Sequence, residues 1–413
     1  MWWFHPLRYV RECQRRFGDT FTLDGGPFGT VVYVADPEEI KRVFIGSPEV
    51  FHAGAANARV MAPLLGRHSV LVLDEERHLQ QRRLMLPPFH GEGLARWESE
   101  IEEVAREEVG RWRTGQRLAL RARMQWITLE VIMRVVIGAR ERARRERLRG
   151  ALTALVEASP LMALAILSER DYGPWRPWTK FRESRAGADA LIYEEIAARR
   201  EAPGDDVLSM LIAARDEDGA GIGDEELRDE LVTLLLAGHE TTATGLAWAF
   251  ERLLRHPRVE AELRRSLAAG EDEYLDAVVR ETLRVRPVIM DVGRLLTEPT
   301  EVAGYLLRAG VVVVPSISLV HDSPRYYPPD PLAFRPERLL DGQPDPYTWI
   351  PFGGGRRRCL GASFAQFEMK VVLRTVLERA QLEAIGPPER QRPRNVTLVP
   401  SRGARARVRA VRA

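Results

Sequence analysis

The chain has 413 residues, 45% of them hydrophobic and 29% charged, a balance that excludes a disordered chain and fits a globule with a sizeable core. Its net charge of +2 gives no bulk attraction to nucleic acid or to an acidic partner. The only cysteines, Cys13 and Cys359, exclude a disulfide framework and any four-cysteine zinc or iron–sulfur site.

Basic charge is almost entirely arginine, since Lys41, Lys180 and Lys370 are the only lysines. The run Arg140–Arg149 holds six arginines and two glutamates and reads as a solvated helix face or connector. The N-terminus falls far short of the ~20 apolar residues that span a bilayer, and it has no signal-peptide core. A cytoplasmic protein without an integral membrane span is expected. No Ser/Gly/Pro-rich or uniformly charged stretch separates two hydrophobic patterns, so residues 1–413 are expected to form one domain, without a fused reductase domain.

In chain order, Phe21–Leu23 and Thr30–Ala35, joined through Gly25-Gly26-Pro27, predict a hairpin. Asp36-Pro37 then opens a short helix. From about Asp74 to Gly270 the pattern is helical almost throughout, broken at Pro87-Pro88, Gly138, Gly173-Pro174 and Pro203-Gly204. Asp224–His256 is the longest candidate helix, with Asp224 as N-cap and Pro257 after its last turn. At ~1.5 Å per residue it spans about 50 Å. Its middle, Leu231 to Ala249, is apolar nearly all round, the mark of a helix buried on most sides.

Beyond Pro287 the character changes. Glu301–Leu307 and Val311–Val314 read as strands around a turn at Ala309-Gly310. A proline-rich meander runs from Ser323 to Pro351. A helix over Ala362–Leu382 follows Gly361, and Asn395–Val408 reads as a closing hairpin. The fold class expected is mainly α with a small β portion, its irregular Pro/Gly segment braced by a cofactor.

The segment Phe352-Gly353-Gly354-Gly355-Arg356-Arg357-Arg358-Cys359-Leu360-Gly361 is the most informative. Glycines let a backbone bend tightly and approach a flat ligand. Cys359 precedes a helix, where N–H groups and the helix dipole favour a thiolate. No Gly-Lys-Ser/Thr follows, so the loop is not a phosphate-binding loop. Three further groups stand out. Glu281 and Arg284 share a helical face three residues apart. Ala237-Gly238-His239-Glu240-Thr241-Thr242 lies midway along the long helix. It lacks the second histidine that a zinc-protease helix requires at 243, where alanine stands. His78 and Arg82 are four apart on Glu75–Leu86.

Phe352, Gly355, Arg357, Cys359 and Gly361 together closely resemble the haem-binding signature of the cytochrome P450 superfamily. The other groups occur in that family's order, and the resemblance covers nearly the whole chain. It implies the family's fold, with a long central helix over haem b. It makes Cys359 the axial iron ligand, Phe352 its packing neighbour, and Arg357 a propionate contact with Arg82, His78 and Arg294. It makes Glu281, Arg284 and Arg338, the last in Phe334-Arg335-Pro336-Glu337-Arg338, a structural network bracing the cysteine loop. It makes Ala237 and Gly238 the oxygen groove, where Thr241 hydrogen-bonds dioxygen or water and Glu240 passes protons, with Thr242 as the alternate hydroxyl. One departure is a short N-terminus without the usual proline-rich lead.

The implied activity is insertion of one oxygen atom of O2 into a lipophilic molecule such as a fatty acid or terpenoid. Electrons come from NAD(P)H indirectly, through a separate ferredoxin or flavodoxin and its reductase, with Arg83, Arg356 and Arg358 as docking candidates. By the same analogy the pocket is lined by the 51–72 loop, the 161–178 turn, the central helix, Val288–Val292 and the tip near Pro400. Leu64, Leu65, Leu161, Met162, Leu234, Val288, Ile289 and Met290 are its prominent side chains. A monomer is expected. Two rival readings are a peroxide-driven peroxygenase, whose known members lack the acid–threonine pair, and a haem sensor or electron carrier, which needs no proton groove.

Overall fold

The computed structural model describes residues 6–26, 29–156, 166, 168–340, 342 and 344–412. Pro27 of the expected hairpin turn, and Leu161 and Met162 of the expected pocket, lie outside them. In chain order the helices among the described residues are α1 (Pro6–Phe17), α2 (Pro37–Ile45), α3 (Ala53–Leu65), α4 (Glu75–Met85), α5 (Glu98–Val109), α6 (Leu120–Val135), α7 (Arg142–Val156), α8 (Pro177–Glu201), α9 (Val207–Ala213), α10 (Asp224–Leu253), α11 (Pro257–Ala268), α12 (Glu273–Val285), α13 (Ile317–His321) and α14 (Ala362–Arg379). The strands are β1 (Thr20–Asp24), β2 (Thr30–Val34), β3 (Phe51–His52), β4 (Arg117–Ala119), β5 (Arg294–Leu296), β6 (Thr300–Val302), β7 (Tyr305–Leu307), β8 (Val312–Pro315), β9 (Ala380–Ala384), β10 (Gln391–Arg394), β11 (Thr397–Pro400) and β12 (Arg405–Val411). The mainly helical class with small sheets is as expected.

The chain divides into two compact units. One comprises Met1–Phe51, Leu94–Thr128 and Glu240–Ala413; the other comprises His52–Gly93 and Leu129–His239. The chain passes between them four times, after Phe51, after Gly93, inside α6 and inside α10.

The first unit carries the sheets. β1 and β2 pair antiparallel, and β2 pairs parallel with β8, Val31 opposite Val312 through Val34 opposite Pro315. Four of the five β2 residues are buried, as a strand covered on both faces requires. Asp36 caps α2 by accepting from the N–H groups of Glu38 and Glu39 at 3.0 and 3.3 Å, and Pro37 opens the first turn, so two N-terminal donors are satisfied locally.

In the second unit the arginine run forms α7, and it is more than a solvated face. Arg145 and Arg149 reach the buried Glu130 of α6, while Arg144 meets the buried Glu195 of α8 at 2.6 Å.

Several boundaries differ from expectation for local reasons. α10 starts from Gly223, whose carbonyl accepts from Leu227 N–H at 2.8 Å while Glu226 reaches back to its N–H at 3.1 Å. The helix begins at Asp224 as expected, but this reciprocal arrangement puts the cap one residue earlier, at Gly223. The helix ends at Leu253, because residues 254–256 tighten into a turn before Pro257, which disfavours helix at the residue preceding it.

Glu301–Leu307 is a hairpin, β6 against β7, turning at Ala303-Gly304. The helix after Gly361 stops at Arg379 and continues as β9, where Ala380–Ala384 pairs with β12. β10 and β11 make the last hairpin, turning between Arg394 and Thr397, and Pro400 stands at a strand end, away from the tip. β12 leaves to pair with β4 and β9. β4 is the strand that helical periodicity concealed.

Candidate active site

The cysteine loop lies in the first unit, between the meander and α14. Cys359 donates its backbone N–H to Phe352 O at 2.9 Å, and Arg358 donates to Gly355 O at 3.1 Å, folding residues 352–359 back on themselves. Gly361 caps α14 two residues beyond the cysteine. Cys359 is exposed, whereas Cys13 is buried in α1.

The glycines serve a contact that the sequence did not announce. Gly355 has φ +61, and a Cβ there would lie 2.0 Å from Phe44 O; at Gly354 it would lie 2.2 Å from the Phe44 ring. The close approach is therefore to α2, and any side chain at 355 meets backbone that cannot yield. Arg294, buried in β5, places its guanidinium over the same Phe44 ring at 5.6 Å and donates to Gly293 O at 2.9 Å. Phe44 thus joins the loop to one of its expected cations. Arg357 and Phe352 are partly buried, and Phe352 meets Trp349 edge-on at 6.2 Å.

Glu281 and Arg284 are both fully buried on α12. Glu281 Oε2 accepts from Arg284 Nε at 2.7 Å. Its Oε1 accepts from Arg284 Nη2 at 2.7 Å, Arg335 N–H at 3.0 Å and Arg338 Nε at 3.2 Å. Arg284 also donates to the carbonyls of His321, Pro331 and Ala333. One ion pair therefore holds several points of irregular backbone that have no ladder of their own.

His321 extends this brace to the cysteine loop. Its Nδ1 meets Arg284 O at 3.2 Å, and its Nε2 accepts Ile350 N–H at 3.0 Å, two residues before Phe352. Burial and the Arg284 charge pull its pKa down to about 3, so the ring is neutral with its proton on Nδ1. Tyr327 covers the Arg284 guanidinium at 4.4 Å and donates to Thr348 O at 3.0 Å. Neither residue carried a sequence signal beyond its type.

On the central helix α10, Ala237 is exposed while most of Leu231–Phe250 is buried; Leu234, Gly238, His239 and Thr241 are partly buried and Thr242 is buried. Ala237 and Thr241 share a face. At Gly238 a Cβ would lie 2.8 Å from Ile132 Cδ1 of α6, so the missing side chain makes room for the neighbouring helix. Glu240 is buried and held: its Oε1 accepts from Arg121 Nη2 at 3.0 Å and from Thr397 Oγ1 at 3.5 Å, with Arg394 Nε 3.8 Å away. Burial and Arg394 together lower the Arg121 pKa.

His78 is buried and Arg82 partly buried on α4, in the second unit. In the first unit Val288 is buried and accepts Leu398 N–H at 2.8 Å, while Ile289 and Met290 are partly exposed. Leu64 is partly buried and Leu65 buried. Arg356 and Arg358 are exposed, as is Arg83, 3.7 Å from Glu76 and 3.9 Å from Glu217. Among the described residues no helix is long and apolar enough to cross a membrane.

The family model for cytochrome P450 matches residues 3–406. Cytochrome P450 135B1 of Mycobacterium tuberculosis is 50% identical over 99% of this chain and 88% of its own length. Cytochrome P450 138 of the same organism is 38% identical, over 97% of this chain and 91% of its own. Among solved structures, the cytochrome P450DA heme domain superposes with a TM-score of 0.87 at 24% identity, covering 99% of this chain and 94% of that one. A retinoic acid-bound cyanobacterial CYP120A1 gives 0.84 at 23%, covering 98% and 96%. With a cysteine loop braced by a buried Glu–Arg network and a family match over almost its whole length, this chain belongs to the cytochrome P450 family and is a haem-thiolate monooxygenase.

Proposed function

We propose that Cys359 would hold the iron of haem b through its sulfur, and that the enzyme hydroxylates a lipophilic small molecule with electrons from a separate ferredoxin or flavodoxin system. The observation that carries this is the exposed thiol of Cys359, set between the folded 352–359 loop and the cap of α14. The donor set fits the group. A soft sulfur ligand suits iron, and its unit also holds Arg357 and Arg294, which offer planar donors to propionates. His78 and Arg82 are the corresponding candidates on α4. When bound and reduced, haem supplies oxygen activation.

The chain's own residues do the rest. Phe352 shields the sulfur, Gly355 lets the loop pack on Phe44, and Gly361 starts the helix whose dipole tempers the thiolate. Thr241 holds a proton on its hydroxyl beside the small Ala237. Glu240 must exchange its Arg121 or Thr397 bond to move a proton, so it governs supply and Thr241 governs delivery. Thr242 is the reserve hydroxyl. Val288, Ile289 and Met290 give an apolar wall in the first unit, Leu234 is the candidate on α10 in the second, and exposed Arg356 and Arg358 suit an acidic redox partner.

Cys359→Ser tests the reading. Reduced wild type with carbon monoxide should show the red-shifted Soret band of thiolate ligation, and the serine variant should lose it. Retention of that band by Cys359→Ser would exclude Cys359 as the ligand.

A further inference from the structure

Basic charge is unevenly spread along the chain. From Arg390 to Ala413 there are eight arginines and no acid, although the whole chain carries a net charge of only +2. Such asymmetry marks a surface that meets an anionic partner. Three of the eight, Arg405, Arg407 and Arg409, alternate on β12 with the buried Ala406 and Val408. They therefore share the outer face of the β4–β12–β9 sheet. Arg117 of β4 is exposed and stands directly opposite Arg407. Glu383 of β9 flanks Arg407 on the other side; it is the only acid in the three strands, and it pairs with Arg409. Arg117, Arg405 and Arg407 form no ion pair among the described residues.

Like charges directly opposite each other across a sheet are destabilising, so Arg117 facing Arg407 is a cost that the fold itself does not recover. Guanidiniums suit phosphate, to which they donate as planar forks. The rest of the face chooses among phosphate-bearing and acidic partners. The three strands carry no aromatic side chain, so unpaired bases have no stacking platform. A three-stranded face offers no helix or ribbon to enter a duplex groove. The neighbours of the arginines on it include Ala119 and Gln381, both exposed, and neither gives a protein partner an apolar anchor. An anionic bilayer needs none of these features, because its attraction is a sum over charges held near a plane.

We propose that the outer face of the β4–β12–β9 sheet, through Arg117, Arg405 and Arg407, docks the protein reversibly on an anionic phospholipid bilayer. Arg409 adds less, since Glu383 already answers its charge. The docking is peripheral and electrostatic, and it is carried by a face that no step of the oxygen chemistry uses. It holds the enzyme beside the phase in which a lipophilic substrate dissolves, but it does not rest on that substrate reading.

The test is co-sedimentation of haem-loaded protein with vesicles of equal parts phosphatidylglycerol and phosphatidylcholine, and with vesicles of phosphatidylcholine alone. Wild type should bind only the anionic vesicles and should leave them at high salt, where the charges are screened. Each arginine near an anionic surface strengthens partitioning roughly fivefold. A variant combining Arg117→Gln, Arg405→Gln and Arg407→Gln should therefore bind about 10²-fold more weakly. Arg8→Gln, Arg258→Gln and Arg308→Gln together remove the same charge from exposed sites elsewhere, and that variant should keep most of the binding. Wild type that ignores anionic vesicles, or an equal loss in both triple variants, overturns the proposal. Duplex DNA bound more tightly than the vesicles, and through the same three arginines, would give the face to nucleic acid and overturn the bilayer. Should the first triple variant fail to fold, Arg405→Gln decides, since the residue opposite is Ala119. It should weaken binding about fivefold, and unchanged binding would sink the idea.

Discussion

Replacing Glu281 by glutamine probes the brace on which the cysteine loop depends. The substitution keeps size and one acceptor but removes the charge from a residue accepting four hydrogen bonds, two of them from Arg284. Arg284 is fully buried, so it is left as an uncompensated charge, a loss of about 3–5 kcal/mol. Over 413 residues a loss of that size lowers Tm by ~3–6 °C. The released backbone, Arg335 and the carbonyls of His321, Pro331 and Ala333, lies on the path to the loop. Haem retention should therefore fall further than stability alone predicts. Haem per protein by absorbance, with thermal unfolding of the same preparations, reads both effects. Glu262→Ala is the control: it breaks an exposed, solvent-screened pair with Arg265 and should leave haem content and Tm unchanged. Normal haem content and Tm in Glu281→Gln would refute the brace.

Two further outcomes are expected. Thr241→Ala should keep haem, thiolate spectrum and ligand binding but divert reducing equivalents to hydrogen peroxide, with product falling ~10²-fold or more if the hydroxyl is the positioned proton donor; full coupling would transfer that role to Thr242. Glu230, fully buried on α10, accepts Val70 N–H at 2.8 Å, and burial, helped by Asp229 and Glu226, pushes its pKa up to about 8. A raised carboxyl stabilises the folded state below its ordinary pKa of 4.5, and that contribution is lost as pH rises through about 8. Glu230→Gln should accordingly match wild type near pH 5 and exceed it in Tm at pH 9, and a gap independent of pH would refute the buried acid.

The sequence by itself determined the parts whose chemistry is local. Phe352, Arg357, Cys359 and Gly361 form one contiguous pattern, Glu281 and Arg284 lie one helical turn apart, and the long apolar run of α10 reads directly as a buried helix. Helix and strand boundaries were less legible, because they turned on partners far along the chain. β4 exists only as the neighbour of β12, and Ala380–Ala384 continued a helical pattern until the sheet claimed its backbone.

Only the tertiary structure decided the assignments that depend on what stands opposite a residue. Gly355 packs on Phe44 O from 311 positions earlier, and the missing side chain of Gly238 faces Ile132. Glu240 is committed to Arg121, and His321 spans from Arg284 to Ile350 as a neutral ring. Asp291 was one more acid in a chain with 59, until the fold set its two oxygens against the hydroxyls of Ser316 and Tyr33. Hydrophobic period and turn chemistry are written along the chain. Burial and the sign of a neighbouring charge are properties of three-dimensional proximity, so they exist only once the chain has folded.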